Sequence, residues 1–212
     1  MSLLRLGTVV ALPALLMAAS PFDATSGSTP ASTSNSISDS TSLNPRPHTV
    51  DKAHSQINFI AESRLIDARG HFGTWDARIN LDPANLAASS VTITIDASSI
   101  DTRVDRRDVH LKGADFFDVE KHPTITFVST AVRPKTDGQL EIEGDLTVRG
   151  TTKRIVLPAS MVFYEEGTGR FRGEFVLKRK EYGIAYDSRV NPIKDDVTVQ
   201  WDFAVNDPAA AK

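Results

Sequence analysis

From Ile57 onward the chain places apolar side chains on alternate positions: Ile57, Phe59 and Ala61; Trp75, Ala77, Ile79 and Leu81; then Val91, Ile93 and Ile95, with Thr92, Thr94 and Asp96 between them. A period of two marks a strand with one buried face. The pattern resumes at Ile125 and Phe127, and again at Leu140, Ile142, Leu146 and Val148, whose intervening Glu141, Glu143, Asp145 and Thr147 must face water or a polar lining. Three further runs follow: Ile155, Leu157, Ala159, Met161 and Phe163; Phe171, Gly173, Phe175 and Leu177; and Val197, Val199, Trp201, Phe203 and Val205. Asp137-Gly138 predicts a tight hairpin, because glycine accepts the positive φ such turns require. Gly150 and the segment Glu166-Gly167-Thr168-Gly169 supply two more turns.

These runs amount to about eight antiparallel strands, the number at which a sheet closes into a barrel with room for side chains or one small ligand. A two-sheet sandwich is the competing architecture; the long strands and sequential hairpins favour the barrel. One stretch, Ser98 to Phe127, breaks the alternation by crowding Arg106, Arg107, Asp108 and His110 ahead of Phe116-Phe117. Asp105 as a cap and Gly113 as a stop predict a short helix there. It would belong to a lid segment around 104–118 lying across one end of the barrel.

The amino terminus adds an address. Arg5 precedes an uncharged run from Leu6 to Ala19, with small residues at Ala18, Ala19 and Ser20. That is the three-part form of a cleavable secretory signal. About 14 apolar residues broken by Pro13 fall short of the roughly 20 needed to span a bilayer. Residues 1–19 are therefore expected as a signal peptide, which makes the chain periplasmic or secreted. The Ser/Thr-rich residues 20–47 bury too little surface to offset the entropy of ordering them, and read as a disordered tether. The barrel domain is expected at 48–206, with a disordered tail at 207–212.

Composition narrows the chemistry. A chain of 212 residues suits one principal domain, and a net charge of −3 from intermixed acids and bases gives no basic field for nucleic acid. The absence of cysteine excludes disulfides, thiolate metal sites and thiol nucleophiles. Five histidines are scattered without His-x-His or His-Glu-x-x-His spacing, so no metal site is expected. His54 and Ser55 are adjacent in a strand and face opposite sides, which keeps the imidazole from orienting the hydroxyl. With neither a Gly-x-Ser-x-Gly elbow nor a dinucleotide fingerprint, no catalytic residue and no cofactor is assigned.

A long set of residues resembles the YceI-like family. It comprises His54-Ser55 with Phe59; Gly70-His71-Phe72 and Trp75; Ile100, Thr102, Arg107-Asp108 and His110-Leu111; and Asp115-Phe116-Phe117-Asp118-Val119, Lys121, Pro123-Thr124-Ile125-Thr126-Phe127 and Ser129. Further on, Gly144-Asp145-Leu146-Thr147-Val148-Arg149-Gly150, Thr152-Lys153 and Lys180-Glu181-Tyr182-Gly183-Ile184 match the family's later elements. The resemblance runs from roughly Thr49 to Val205. It departs at Lys180, where an arginine is common, and at Val190–Asp196, which is less glycine-rich than usual. The resemblance implies an all-β, eight-stranded antiparallel, lipocalin-like barrel, usually exported to the periplasm. Such a barrel binds a polyisoprenoid or similar long-chain amphiphile, an isoprenoid quinone or isoprenyl phosphate, in its lumen without catalysis. It permits a homodimer. An envelope protein partner bound through the outer surface is the alternative, with a lipid-modifying hydrolase or isomerase behind it.

Candidate ligand contacts follow from chemistry. Phe59, Phe72, Trp75, Phe116, Phe117, Phe127, Phe175, Tyr182, Tyr186 and Trp201, with Leu111, are expected at the lining or mouth, the alternative for each being ordinary core. Arg107 and His110 could hold a head group, since a guanidinium fork matches phosphate or carboxylate oxygens; Arg107 and Asp108 equally suit anchoring the helix. Phe116 and Phe117 are adjacent and expected to point in opposite directions, one plugging the barrel and the other packing outward or touching ligand.

Overall fold

The computed structural model of the protein describes residues 45–210, so the expected signal peptide and nearly all of the tether lie outside the described residues. Ten strands are present: β1 Arg46–Ser63, β2 Ala68–Phe72, β3 Trp75–Leu81, β4 Ser90–Asp96, β5 Ile100–Asp101, β6 Thr124–Pro134, β7 Gln139–Val148, β8 Thr151–Glu165, β9 Thr168–Lys178 and β10 Ile193–Asn206. Eight of them close an antiparallel barrel in the order β1-β3-β4-β6-β7-β8-β9-β10, with β10 pairing back onto β1. The eight alternating runs are these eight strands. The two extra strands, β2 and β5, are too short to show a period. They form a flap on β1, with Asn58–Ala61 pairing with Ala68–His71, and His71 and Phe72 pairing with Asp101 and Ile100. Asp137 and Gly138 both take positive φ, 56° and 71°, and make the expected hairpin.

Alternation puts one apolar face inside, and glycines decide how much room is left there. Phe59, Phe127 and Trp201 each lie over a glycine of the neighbouring strand: Gly70, Gly144 and Gly173. A Cβ on any of these glycines would stand within 2.6 Å of the ring it faces. The rings therefore lie flat against the wall rather than across the lumen, as aromatics do when they cover sheet glycines.

Two irregularities redirect side chains. A bulge between Met161 and Phe163 shifts the β8–β9 register, so Phe163, expected inside, is exposed and Tyr164 turns inward. His48 Nδ1 donates to the Arg46 carbonyl at 2.9 Å, and Nε2 shares a hydrogen bond with the Tyr164 hydroxyl at 2.8 Å. Burial pushes the Tyr164 phenol above its usual range, and the nearby Asp207 charge adds to this. In β1 a second bulge, between Asp51 and Gln56, lets Ser55 Oγ accept from the Ala204 N–H at 2.9 Å, while His54 bonds Asp51 at 2.7 Å.

The barrel end bearing the β6–β7 and β8–β9 hairpins is closed by buried Leu81, Leu140, Ala159, Phe171 and Val205. The chain does not leave it where a disordered tail is expected from residue 207. Asp207 is buried, pairs with Arg46 at 2.7 Å and donates its N–H to the Gly167 carbonyl, and the Ala210 N–H bonds back to the Asp207 carbonyl. A carboxylate with that partner holds the turn in place. Likewise β1 begins at Arg46, ahead of the expected His48, because Arg46–His48 pair with Ile79–Leu81.

The opposite end carries α1 Asp105–Lys112, the single α-helix among the described residues. Its cap position is Val104 rather than Asp105, and no side chain caps it, because Asp105 already lies within the first turn. Gly113 ends the helix, as expected, in an extended conformation.

Gly144→Ala is expected to lower stability by about 1–3 kcal/mol, because the added methyl meets the Phe127 ring and the Val128 carbonyl. Urea unfolding checks this; an unchanged midpoint would show that the ring yields without cost.

Candidate functional site: an apolar lumen under a helical lid

The inward faces enclose a cavity of about 480 Å³. Its walls are rows of alternate residues, such as Ile57, Phe59 and Ala61 on β1 and Val197, Val199, Trp201 and Phe203 on β10. From Ile193 at the helical end to Trp201 the wall runs about 26 Å along the strand, at about 3.3 Å per residue. The side chains with polar groups that line it, Ser63, Arg107, His110, Arg179, Tyr186, Ser188 and Asn191, gather at the α1 end, leaving one deep exception in Trp201. The Trp201 Nε1–H is buried and has no hydrogen-bond partner among the described residues.

Trp201 also forms the floor. A second, smaller apolar cavity of about 60 Å³ lies beyond it and shares Ile93, Phe127, Leu157, Trp201 and Phe203 with the first. Those five side chains separate the two volumes.

The lid is held by one threonine. Asp108, buried under α1, accepts from the Thr102 N–H at 3.0 Å and from its hydroxyl at 2.5 Å. Arg107 donates from Nε to Thr102 Oγ1 at 2.7 Å and from Nη2 to the Thr102 carbonyl at 3.0 Å. These charges anchor the helix, and Arg107 lines the cavity from that fixed position. Beyond the helix, Arg149 ties the lid to the next loop by donating to the carbonyls of Ala114 at 2.7 Å and Gly183 at 2.5 Å.

His110, Phe116 and Tyr186 make an aromatic triangle at the mouth, with centroids 4.9–5.0 Å apart and His110 edge-on to both partners. His110 Nε2 lies 3.1 Å from Asp115 Oδ2. Phe116 and Phe117 do not point in opposite directions. They lie in turns after α1 rather than in a strand, and both reach the cavity, Phe117 standing edge-on to Phe72 at 6.0 Å.

Of the expected contacts, Phe59, Phe72, Arg107, His110, Leu111, Phe116, Phe117, Phe127, Phe175, Tyr186 and Trp201 line the cavity. Trp75 and Tyr182 do not. Trp75 sits between the Phe203 ring, at 5.0 Å, and the Lys52 ammonium, 3.8 Å from its centroid, near the point where β1 parts from β3. Tyr182 is buried at the end of a 3₁₀ turn, Arg179–Tyr182, and Gly183 at φ 77° swings the chain so that Tyr186 borders the lumen instead. Burial raises the Tyr182 phenol above its ordinary value, with the Glu181 charge adding to the shift.

Arg179 is the residue that sequence reasoning missed. It is 3% exposed and donates to four backbone carbonyls, those of Ile184, Tyr186, Ile193 and Lys194, at 2.7–3.0 Å. It therefore splices the 184–193 loop to the barrel end. Among the described residues no group of three or more His, Cys, Asp or Glu is placed to hold a metal ion.

The family model for the YceI-like domain matches residues 48–205. The chain belongs to the YceI-like family. It is 40% identical over 142 residues to a UPF0312 protein of Vibrio cholerae, covering 62% of this chain and 73% of that one. Among solved structures, BcnA of Burkholderia cenocepacia superposes with a TM-score of 0.69 at 25% identity, over 73% of this chain and 98% of its own. A polyisoprenoid binding domain from Saccharophagus degradans, implicated in plant cell wall breakdown, shares the fold at a TM-score of 0.60 and 14% identity, over 76% of this chain and 98% of that one.

Asp108→Ala leaves the Thr102 N–H and hydroxyl unpaired and is expected to cost about 1–3 kcal/mol. Hydrogen exchange should rise at Thr102 and through α1 while Ala159 at the closed end stays protected; uniform loosening would contradict the anchoring role.

Proposed function

We propose that this YceI-like protein is a non-catalytic binding protein that carries one long apolar lipid, a polyisoprenoid or its quinone or phosphate derivative, in the barrel lumen. The observation that carries the reading is the cavity itself: about 480 Å³, apolar along its walls, with its charged and amide groups confined to the lidded end. A tail gains about 0.8 kcal/mol per methylene-sized unit buried there, so affinity needs few polar contacts. The polar end of the lipid would rest at the mouth beside Arg107 and His110. The polyisoprenoid binding domain of Saccharophagus degradans, which shares the fold, supports the same direction. The amino-terminal pattern supports export to the periplasm by a cleavable signal, followed by a Ser/Thr-rich tether.

Native mass spectrometry of protein purified gently from its exporting host is expected to show a prenyl lipid at one per barrel. Failure to recover any lipid, together with no uptake of farnesol, geranylgeraniol or solanesol, would defeat the reading.

Chain length is expected to be set at Trp201. Trp201→Ala joins the two cavities, so preference for solanesol over geranylgeraniol should rise about tenfold, the effect of burying roughly two more methylenes. Competition binding measures it, and Trp201→Phe, which keeps the ring and removes the N–H, should leave the preference near that of the parent.

A further inference from the structure

We propose that the lidded end of the barrel docks on an anionic lipid bilayer, with its mouth against the membrane surface. Single exposed apolar residues are ordinary, but their clustering is not. The four most exposed large apolar side chains described are Val190 (74%), Val109 (73%), Ile66 (72%) and Leu65 (63%), and all four stand at this end, joined there by Val104. They come from three distant stretches of chain: the β1–β2 hairpin, α1 and the loop before β10. The hairpin and the loop are locked together, the Leu65 N–H donating to Asn191 Oδ1 at 2.9 Å and Asn191 Nδ2 to Ser63 Oγ at 3.0 Å. On α1, Arg107, His110 and Leu111 face the cavity, so Arg106 and Val109 lie on the side turned away from it.

Each tip carries its own cation. Arg64 precedes Leu65, Arg103 precedes Val104, Arg106 lies one turn before Val109, and Arg189 precedes Val190. All four arginines are exposed and none forms an ion pair among the described residues. Their neighbours Arg69 and Lys194 are paired with Asp67 and Glu62. The exposed acids without a lysine or arginine partner among the tips are Asp105, Asp115 and Asp187, against four arginines, so the rim is net positive. Apolar tips beside free arginines fit a bilayer interface, where the tip enters the acyl boundary and the guanidinium meets lipid phosphate. The rim is continuous with the lumen, since Ile66 belongs to both.

Docking of this kind serves the lipid-carrier reading and rests on it for its purpose, but it is measured without any lipid entering the lumen. The chain has no cysteine, so a single introduced one is a unique label site. Ile66→Cys and Val190→Cys at the rim, and Thr136→Cys at the closed end, would each carry an environment-sensitive nitrobenzoxadiazole dye. On phosphatidylglycerol–phosphatidylethanolamine vesicles the two rim labels should shift to the blue and brighten while the Thr136 label stays unchanged. Phosphatidylcholine vesicles should give at least about a tenfold weaker response, because the arginines then meet no anionic surface. Combined Arg64→Gln, Arg103→Gln, Arg106→Gln and Arg189→Gln should abolish that preference without altering the circular dichroism spectrum. An equal response at Thr136, no response at the rim, or a rim shift that tracks protein concentration in the absence of vesicles would each overturn the proposal. The last outcome would assign the rim to a second copy of the chain. Rim docking with no prenyl uptake would leave the docking standing and remove the carrier reading.

Discussion

An eight-stranded barrel is narrow enough that its own aromatic side chains can fill it, and everything else in this molecule depends on their not doing so. Gly70, Gly144 and Gly173 are what prevent it. Each leaves a hollow in the wall where the ring of Phe59, Phe127 or Trp201 lies flat, so the same side chains that stabilise the sheet by burial also leave its axis open. An open lumen then needs a cover at one end and a seal at the other. The lid with its anchors and the His48–Tyr164 closure are the two answers to that need.

The buried charges are used for positioning. Asp108 and Arg107 converge on Thr102, and Arg179 joins two carbonyls of the loop before β10 to two at the start of that strand, so neither lid nor loop depends on apolar contact alone. Such groups are costly to bury and are retained where every donor and acceptor finds a partner. The Trp201 Nε1–H is the deep exception among the described side chains, and it lies at the one place where two cavities meet.

The barrel was legible because a closed sheet with one wet face writes a period of two into the chain, and eight such runs appear. Its flap was not, because β2 and β5 carry too few residues for a period. Phe163 was misplaced for a related reason: a bulge adds one residue to one strand, and nothing in the alternation of β8 announces it. At the site, strand-borne aromatics such as Phe59, Phe127 and Phe175 could be placed from parity alone. Trp75 and Tyr182 share that chemistry but are diverted by Lys52 and by the turn at Gly183, contacts between segments far apart or a local change of chain direction. Arg179 sits among charged neighbours that give it no distinguishing pattern, and only its four carbonyl partners fix its role.

The sealed end has a consequence for traffic. Because His48, Tyr164 and the Arg46–Asp207 pair close the barrel behind Trp201, the lumen is a blind pocket rather than a tube. Whatever occupies it must leave by the opening through which it came, last part in and first part out. Two occupants could not pass one another in it, so exchange would require complete vacancy before refilling, through the one mouth that α1 covers.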